Sequence, residues 1–374
     1  MNKVFQNKKV MVLCTTDNMI TQFLIPHIRR MQELGAEVEC VCARTGKWFE
    51  EIEKEGIVCH EIAFKRSPIN IANLKAYKKL KKLQKEKNYD IIYCQQPVGG
   101  LMGRLIGKKF KKQVIYTAHG FFFFNGCKLK NKILYKTAEK WLSKYTDVLI
   151  TINEEDFEAA KKMKAKKVFK ISGIGYEPKK FKDLDFDKEK FKKSLGIKKD
   201  EKVIVSVAEM IKRKNYETMI RAVSKLRYEK IKYLICGCGV EEENLKNLVK
   251  KLGIEDKVVF LGYRNDIAKI LAVSDVFLHC SFHEGLTVSL MEAMNSSLPV
   301  VTSNARGNKD LIEDQKGGFV CPPKDVKLIT EKLKKLLDDG ILRSEFGTYN
   351  KLLVKKYSLE NVIKELDVIY NDNI

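Results

Sequence analysis

Apolar strand-like runs and helical stretches alternate along the whole of this 374-residue chain, and that alternation restricts its fold more than any single motif. In the first half, runs at 9–15, 37–43, 58–63, 90–94, 113–118 and 148–152 read as buried strands, the last closing that half. Helical patterns fall between them at 21–34, 74–87, 99–110 and 130–145; the Lys-rich second one places Leu74, Tyr77, Leu80 and Leu83 on one face. ISGIGYE at 171–177 and the polar stretch 178–193 interrupt the pattern and mark a domain boundary. Strands at 202–207, 232–236, 258–261, 275–280 and 298–302 then alternate with helices at 215–227, 241–252, 266–272 and 287–295, and helices at 327–337, 341–355 and 359–370 end the chain. Strand–helix alternation builds a parallel sheet with helices on both faces. The expected class is α/β: two doubly wound, Rossmann-like domains at 1–177 and 178–357 facing a cleft, with the segment 358–374 packing back on the first.

Charge and cysteine content narrow the surroundings. The net charge is +23, and residues 1–177 carry 34 Lys/Arg against 18 Asp/Glu, whereas 178–374 carry 37 against 30. A basic first half points to an anionic partner, or to lysines that only solubilise. The ten cysteines include no C-x-x-C pair and most sit in apolar runs, as buried free thiols do, which favours a reducing compartment. A strand begins almost at once, so no signal peptide is expected, and no apolar run reaches the ~18–20 residues that span a bilayer. The expected location is cytoplasmic, peripheral on the inner face of the membrane.

Chemistry concentrates in 274–312, a strand, a polar turn, a largely apolar helix and a second strand. Glu284 precedes the helix and Glu292 lies inside it, and a carboxylate on a buried helix is costly unless polar groups or a ligand meet it. The helix start also offers unpaired amides at Thr287, Val288 and Ser289, suited to phosphate. Phosphate between two hydroxyl-binding carboxylates describes a nucleotide sugar. Elsewhere, His119 ends an apolar strand where a sheet meets its cleft, and Lys214 holds the same position after the first strand of the second domain. The four Phe at 121–124 either pack inside or form an apolar edge that touches lipid. Asp183, Asp185 and Asp187 fail the calcium-loop pattern at Lys188 and Ser194, and His279 with His283 lacks a third ligand, so no metal site is expected. Gly237-x-Gly239 lacks the rest of a dinucleotide fingerprint and reads as a strand end that admits a ligand.

With these residues in view, the chain resembles the family 4 glycosyltransferases of GT-B fold, and within them the bacterial exopolysaccharide and capsule enzymes. The motifs are E-x7-E from Glu284 to Glu292, YTAHGF at 116–121, ISGIGYE at 171–177, KRKN at 212–215 and DKVVFLGYRNDI at 256–267. The resemblance implies retaining transfer from a UDP-sugar without an obligatory metal or other cofactor. It implies that Glu284, beside Gly285 and Leu286, touches the donor sugar, and that Glu292 binds the ribose. Thr287 and Val288, with Lys214, would hold the diphosphate; Gly262, Tyr263 and Arg264 would lie at the base; His119 would face the reacting sugar. The usual family Arg is Glu209 here, leaving Arg213 or Lys212 as substitutes, and TTDNM replaces the glycine-rich turn after the first strand.

The expected activity is therefore a hexosyltransferase moving a hexose or N-acetylhexosamine to a polyprenyl-diphosphate-linked glycan. The expected partners are the UDP-sugar, that lipid-linked acceptor and an anionic membrane surface met by the basic first domain. A nucleotide-sugar 2-epimerase of the same fold is the alternative enzyme. Net charge alone raises a nucleic-acid-binding protein, but no such motif or aromatic–basic interleaving is present.

Overall fold

The computed structural model describes residues 3–46, 48–226 and 230–374, so the end of the helix expected at 215–227 lies outside the described residues. The chain divides into two compact units, residues 1–175 with 360–374, and residues 176–359.

The first unit holds a seven-stranded sheet, β1 Lys9–Thr16, β2 Glu37–Ala43, β3 Cys59–Glu61, β4 Ile91–Gln95, β5 Gln113–Ala118, β6 Val148–Thr151 and β7 Lys167–Lys170. The order is β3-β2-β1-β4-β5-β6-β7 and every pairing is parallel. The second unit repeats the plan with β8 Lys202–Val207, β9 Ile231–Cys236, β10 Val258–Gly262, β11 Val276–His279, β12 Val300–Ser303 and β13 Gly318–Cys321, ordered β10-β9-β8-β11-β12-β13. Helices cover both faces, so consecutive side chains of one strand enter different cores: Ile204 joins one cluster and Val203 and Val205 the other. Both sheets reverse their winding beside the first strand, at β1/β4 and at β8/β11. In open α/β sheets, ligands bind outside the carboxyl ends of the strands at that reversal.

The last helix, Leu359–Asn373, is fastened to the first unit. Arg30 donates to both oxygens of Asp367, Ser172 donates to Glu365 through backbone and hydroxyl, and Tyr370 packs edge-on against Phe5 at 5.1 Å.

Three expectations need correcting. The helix at 21–34 is a π-turn, Ile20–Leu24, followed by Ile25–Glu33, because Pro26 lacks the N–H that would continue a ladder from the preceding turn. Leu74 is exposed; Asn73 takes the inward place, its side chain bonded to the backbone of Lys65 and Ser67, and Leu80 follows it into the core. The first half does not close at 148–152, since β7 adds an edge strand whose two end lysines disguise it.

Candidate active site

Two loops meet at the β8/β11 reversal. After β8 the chain makes a short 3-10 turn, Lys212–Lys214, and Asn215 leaves it at φ +58°. Asn215 Nδ2 donates to Cys280 O (2.8 Å) and Pro323 O (2.6 Å), and the Phe282 amide donates to Arg213 O (2.9 Å), which joins this turn to the loop after β11.

Glu284 lies at the centre of that junction and is buried. Lys214 Nζ donates to its Oε1 at 2.8 Å, Arg213 Nη1 to its Oε2 at 2.5 Å, and His279 Nε2 stands 3.1 Å from Oε1. Burial alone would raise the Glu284 pKa, but Lys214, the His279 hydrogen bond and Arg213 outweigh it and hold the carboxyl well below its ordinary value. Burial in turn lowers Lys214 and His279. A neutral imidazole beside a carboxylate must donate through Nε2, leaving Nδ1 as a buried acceptor with no partner among the described residues.

A third loop supports this one. Buried Arg306 donates from Nε to Glu284 O (2.9 Å). Gly307 sits at φ +82°, and a Cβ there would stand 2.2 Å from Gly285 O, so only glycine lets the loops touch. Asn308 donates to the hydroxyls of Ser281 and Ser303 (both 3.1 Å) and accepts from Thr287 Oγ1 (3.0 Å).

That last bond matters for the helix Val288–Asn295. Its N-cap, Thr287, spends its hydroxyl on Asn308 and caps no amide, so the first turn keeps N–H groups for an anion. Gly285 and Leu286 connect Glu284 to this cap, Leu286 being half-buried against the inner core. Glu292 lies one turn into the helix, half-buried, and no described side chain donates to its carboxylate. Burial raises its pKa to about 7, with Lys180 and Glu177 pulling in opposite directions.

Other expected positions are more scattered. Gly262 ends β10 at φ +64° and accepts from the Gly237 amide (2.8 Å); Tyr263 is 54% exposed; Arg264 forks onto Asp266 at 2.8 and 2.6 Å. Gly237 and Gly239 meet backbone rather than open space: a Cβ would stand 2.0 Å from Ala208 O and 2.3 Å from Met210 O. Glu209 is exposed. Asp187 caps the helix Lys188–Ser194 through the Lys190 amide, and no group of three potential metal-binding side chains occurs among the described residues.

In the first unit, His119 ends β5 with Nε2 2.6 Å from Gln95 Oε1. Burial, helped by His27, holds it down to about 3, so the ring is neutral. Phe121 and Phe123 stack inside at 4.8 Å while Phe122 points out onto Tyr135, so the run at 121–124 divides between core and surface. In the TTDNM turn, Asp17 is fully buried and accepts from the Thr45 amide and hydroxyl, holding the turn to the loop after β2.

Sequence reasoning missed Arg306, Asn308 and His279. An arginine and an asparagine flanking a glycine directly after an apolar strand were the visible signal for the first two. The sequence shows His279 only as half of an incomplete metal pair with His283, and its place beside Glu284 depends on the fold.

Two Rossmann-like units in one chain, with cations, a carboxylate and free helix amides at the reversal of the second, have the make-up of a transferase of GT-B fold. The model for glycosyl transferases group 1 matches residues 187–353, and that for glycosyl transferase 4-like proteins matches 9–153. EpsD of Bacillus subtilis, itself assigned as a glycosyltransferase, is 31% identical over 97% of this chain and 96% of that protein. The UDP-Gal:alpha-D-GlcNAc-diphosphoundecaprenol alpha-1,3-galactosyltransferase of Escherichia coli is 29% identical over 80% of this chain and 79% of the enzyme. Anabaena HepE, solved with UDP and glucose, superposes with a TM-score of 0.82 at 16% identity, covering 98% of this chain and 100% of that one. The chain belongs to this family of glycosyltransferases.

Proposed function

We propose that the protein is a retaining glycosyltransferase that moves a hexose or N-acetylhexosamine from a UDP-sugar to a polyprenyl-diphosphate-linked glycan in surface polysaccharide synthesis. The carrying observation is the Lys214–Arg213–His279 cluster around Glu284 beside an uncapped helix start. Two cations, Lys214 and Arg213, meet one carboxylate, so a diphosphate would take up the positive charge that Glu284 alone does not balance. The E. coli relative named above acts on a diphosphoundecaprenol-linked sugar, and HepE was solved with UDP, which supports both the donor and the acceptor class.

On this reading Lys214 and Arg213 turn from Glu284 to the donor diphosphate, assisted by the Thr287 and Val288 amides. Glu284 then takes the sugar hydroxyls, and Glu292 the ribose. Gly262, Tyr263 and Arg264 lie toward the base. The bond from C1 to the diphosphate oxygen breaks, and UDP leaves with its electron pair. The acceptor hydroxyl attacks from the same face, its proton passing to the departing phosphate. Neutral His119 serves the reacting sugar as a hydrogen-bond partner. Charge on the leaving group is met by protein cations and amides, so the reading calls for no metal; fixed donors of this kind are worth about 10²–10³ in rate each. The protein would work on the inner membrane face. No helix among the described residues is long and apolar enough to cross a membrane.

The test is stabilisation by ligand followed by transfer. UDP and then one UDP-sugar should raise the melting temperature, because a ligand at a hundredfold excess over Kd adds about 2.7 kcal/mol. Transfer to a detergent-solubilised polyprenyl-diphosphate glycan should follow, and His119→Ala should lower that rate without weakening the UDP effect. Stabilisation by other nucleotides but by no UDP-sugar would sink the reading, as would turnover of the sugar nucleotide alone into an epimer.

Glu292 adds a pH signature. Its folded pKa is raised to about 7, so its stability contribution is full below the ordinary value of 4.5 and is lost as pH rises through 7. Ribose hydroxyls donating to the ionised form would pull a proton off, so UDP affinity should increase up to tenfold per pH unit below 7 and level off above it. Calorimetry in buffers of different ionisation heat should show proton release near pH 6, absent in Glu292→Gln. Equal proton release in both proteins would exclude this role.

A further inference from the structure

The helix Leu129–Leu142 buries one of its fourteen residues, Leu142. Four large apolar side chains on it face outward: Leu129 is 72% exposed, Ile133 61%, Leu134 56% and Trp141 46%. Residues four apart share a helix face. Leu129, Ile133, Thr137 and Trp141 therefore form one row, and Lys132, Lys136 and Lys140 form a second row beside it. Lys130 and Leu134 flank the other side. The helix has one acidic residue, Glu139, and it is turned inward onto Arg104.

Phe122, 41% exposed, rests at 5.1 Å on Tyr135 in the middle of the helix, on the side that packs toward the core. The outward surface continues past the C-terminal end of the helix, where Trp141 meets Tyr145 edge-on at 5.4 Å, and Lys108 lies over the Tyr145 ring at 4.3 Å. Beyond that pair opens a cavity of about 580 Å³ whose lining includes Lys108, Lys111, Lys112, Lys144 and Lys166. Its acidic residue, Asp147, is already held by Lys166 and the Val114 amide.

We propose that this face is the docking surface for an anionic phospholipid bilayer. The helix lies in the plane of the interface, with Leu129, Ile133 and Leu134 at the acyl boundary and Trp141 at its polar edge. The lysine row meets lipid phosphates, and the lysine-lined cavity receives a headgroup. An apolar row bordered by lysines, with an aromatic residue at the polar boundary, is the pattern of helices that lie on membranes. The charge selects the occupant. A symmetric contact with a second copy would set lysine row against lysine row, and nucleic acid would gain nothing from isoleucine and leucine held in water. The proposal rests on the reading of an enzyme with a lipid-linked acceptor, and it places the loop carrying His119 beside the lipid from which that acceptor comes.

The experiment is flotation of the full chain with vesicles of phosphatidylglycerol and phosphatidylcholine, or of phosphatidylcholine alone, in about 0.15 M salt. Wild-type protein should float with the anionic vesicles only, because each lysine near such a surface strengthens binding roughly fivefold. Ile133→Ser with Leu134→Ser should cut binding at least tenfold, and so should Lys132→Glu with Lys136→Glu. These side chains stand in solvent, so both variants should keep their melting temperature and UDP stabilisation. Trp141 fluorescence, read in a Trp48→Phe background, should be quenched by brominated lipid. Failure of the wild type to float, or equal flotation of both variants, would overturn the surface. So would a dimer that the same substitutions dissolve. Transfer to detergent-solubilised acceptor is scored in parallel: if it persists while flotation fails, the docking surface is wrong and the enzymatic reading stands.

Discussion

Glu284→Gln should lower kcat for sugar transfer by about 10²–10³ while leaving the fold and UDP stabilisation largely intact. The amide keeps the side chain's shape and can still accept from Lys214 Nζ and His279 Nε2, now 2.8 and 3.1 Å from Oε1. It loses the charge. Its NH₂ also faces Arg213, which donates to the other oxygen at 2.5 Å, so the second cation keeps only the His283 carbonyl at 3.0 Å. Glu284→Ala is a different experiment. It removes the carboxylate from Lys214, whose side chain is 12% exposed, and from fully buried His279, and breaking such a cluster from one side destabilises by about 3–5 kcal/mol. The Gln variant therefore reports on chemistry and the Ala variant mostly on stability. Steady-state rates beside melting curves separate them; a Gln variant within fivefold of wild type would remove Glu284 from the reaction.

Much of the fold was legible because a parallel strand in a two-faced sheet is an uninterrupted apolar run. The bounds expected for β2 and β8 are the observed ones, 37–43 and 202–207, since turn residues or charges bracket both runs. Edge strands break that rule. β7 reads KVFK, half-buried at its centre and lysine at both ends, and β13 reads GFVC after one further glycine, Gly317; neither carries enough apolar length to stand out. Helix faces were less secure than helix positions: Asn73 displaced Leu74 because a buried asparagine can satisfy three backbone groups of the loop at 65–67, which no leucine can do.

The site was legible as a motif and illegible as a geometry. Glu284 and Glu292 stood out because carboxylates are rare near a buried helix. The pairing of Glu284 with Lys214 and Arg213 spans about seventy residues, and only the closing of β8 against β11 creates it. Arg213, one of two candidates for the cation missing at Glu209, does reach this carboxylate. The two glutamates also separate chemically in a way no spacing conveys: cations hold Glu284 ionised, while burial raises the pKa of Glu292 to about 7.

Glu139→Ala should destabilise the first unit more than any other surface-helix substitution, by about 3–5 kcal/mol. Arg104 is completely buried, donates from Nη1 and Nη2 to the two Glu139 oxygens at 2.6 and 3.1 Å and from Nε to Gly100 O at 2.8 Å, and lies 4.2 Å over the Tyr116 ring. Removing Glu139 leaves a guanidinium in an apolar wall with one hydrogen bond and a ring face. At about 2–4 °C per kcal/mol for a unit of this size, its melting transition should fall by roughly 10 °C. Replacing both residues, Arg104→Met with Glu139→Leu, should recover most of that loss, because the desolvation of two charges disappears with them. Equal loss in the single and double variants would show that packing, not charge, accounts for the effect. The same contact explains how a helix with a single buried residue stays in place: Glu139 anchors it to the helix Pro97–Phe110 from beneath, which leaves the opposite face, with its leucine, isoleucine and tryptophan, free to meet a bilayer.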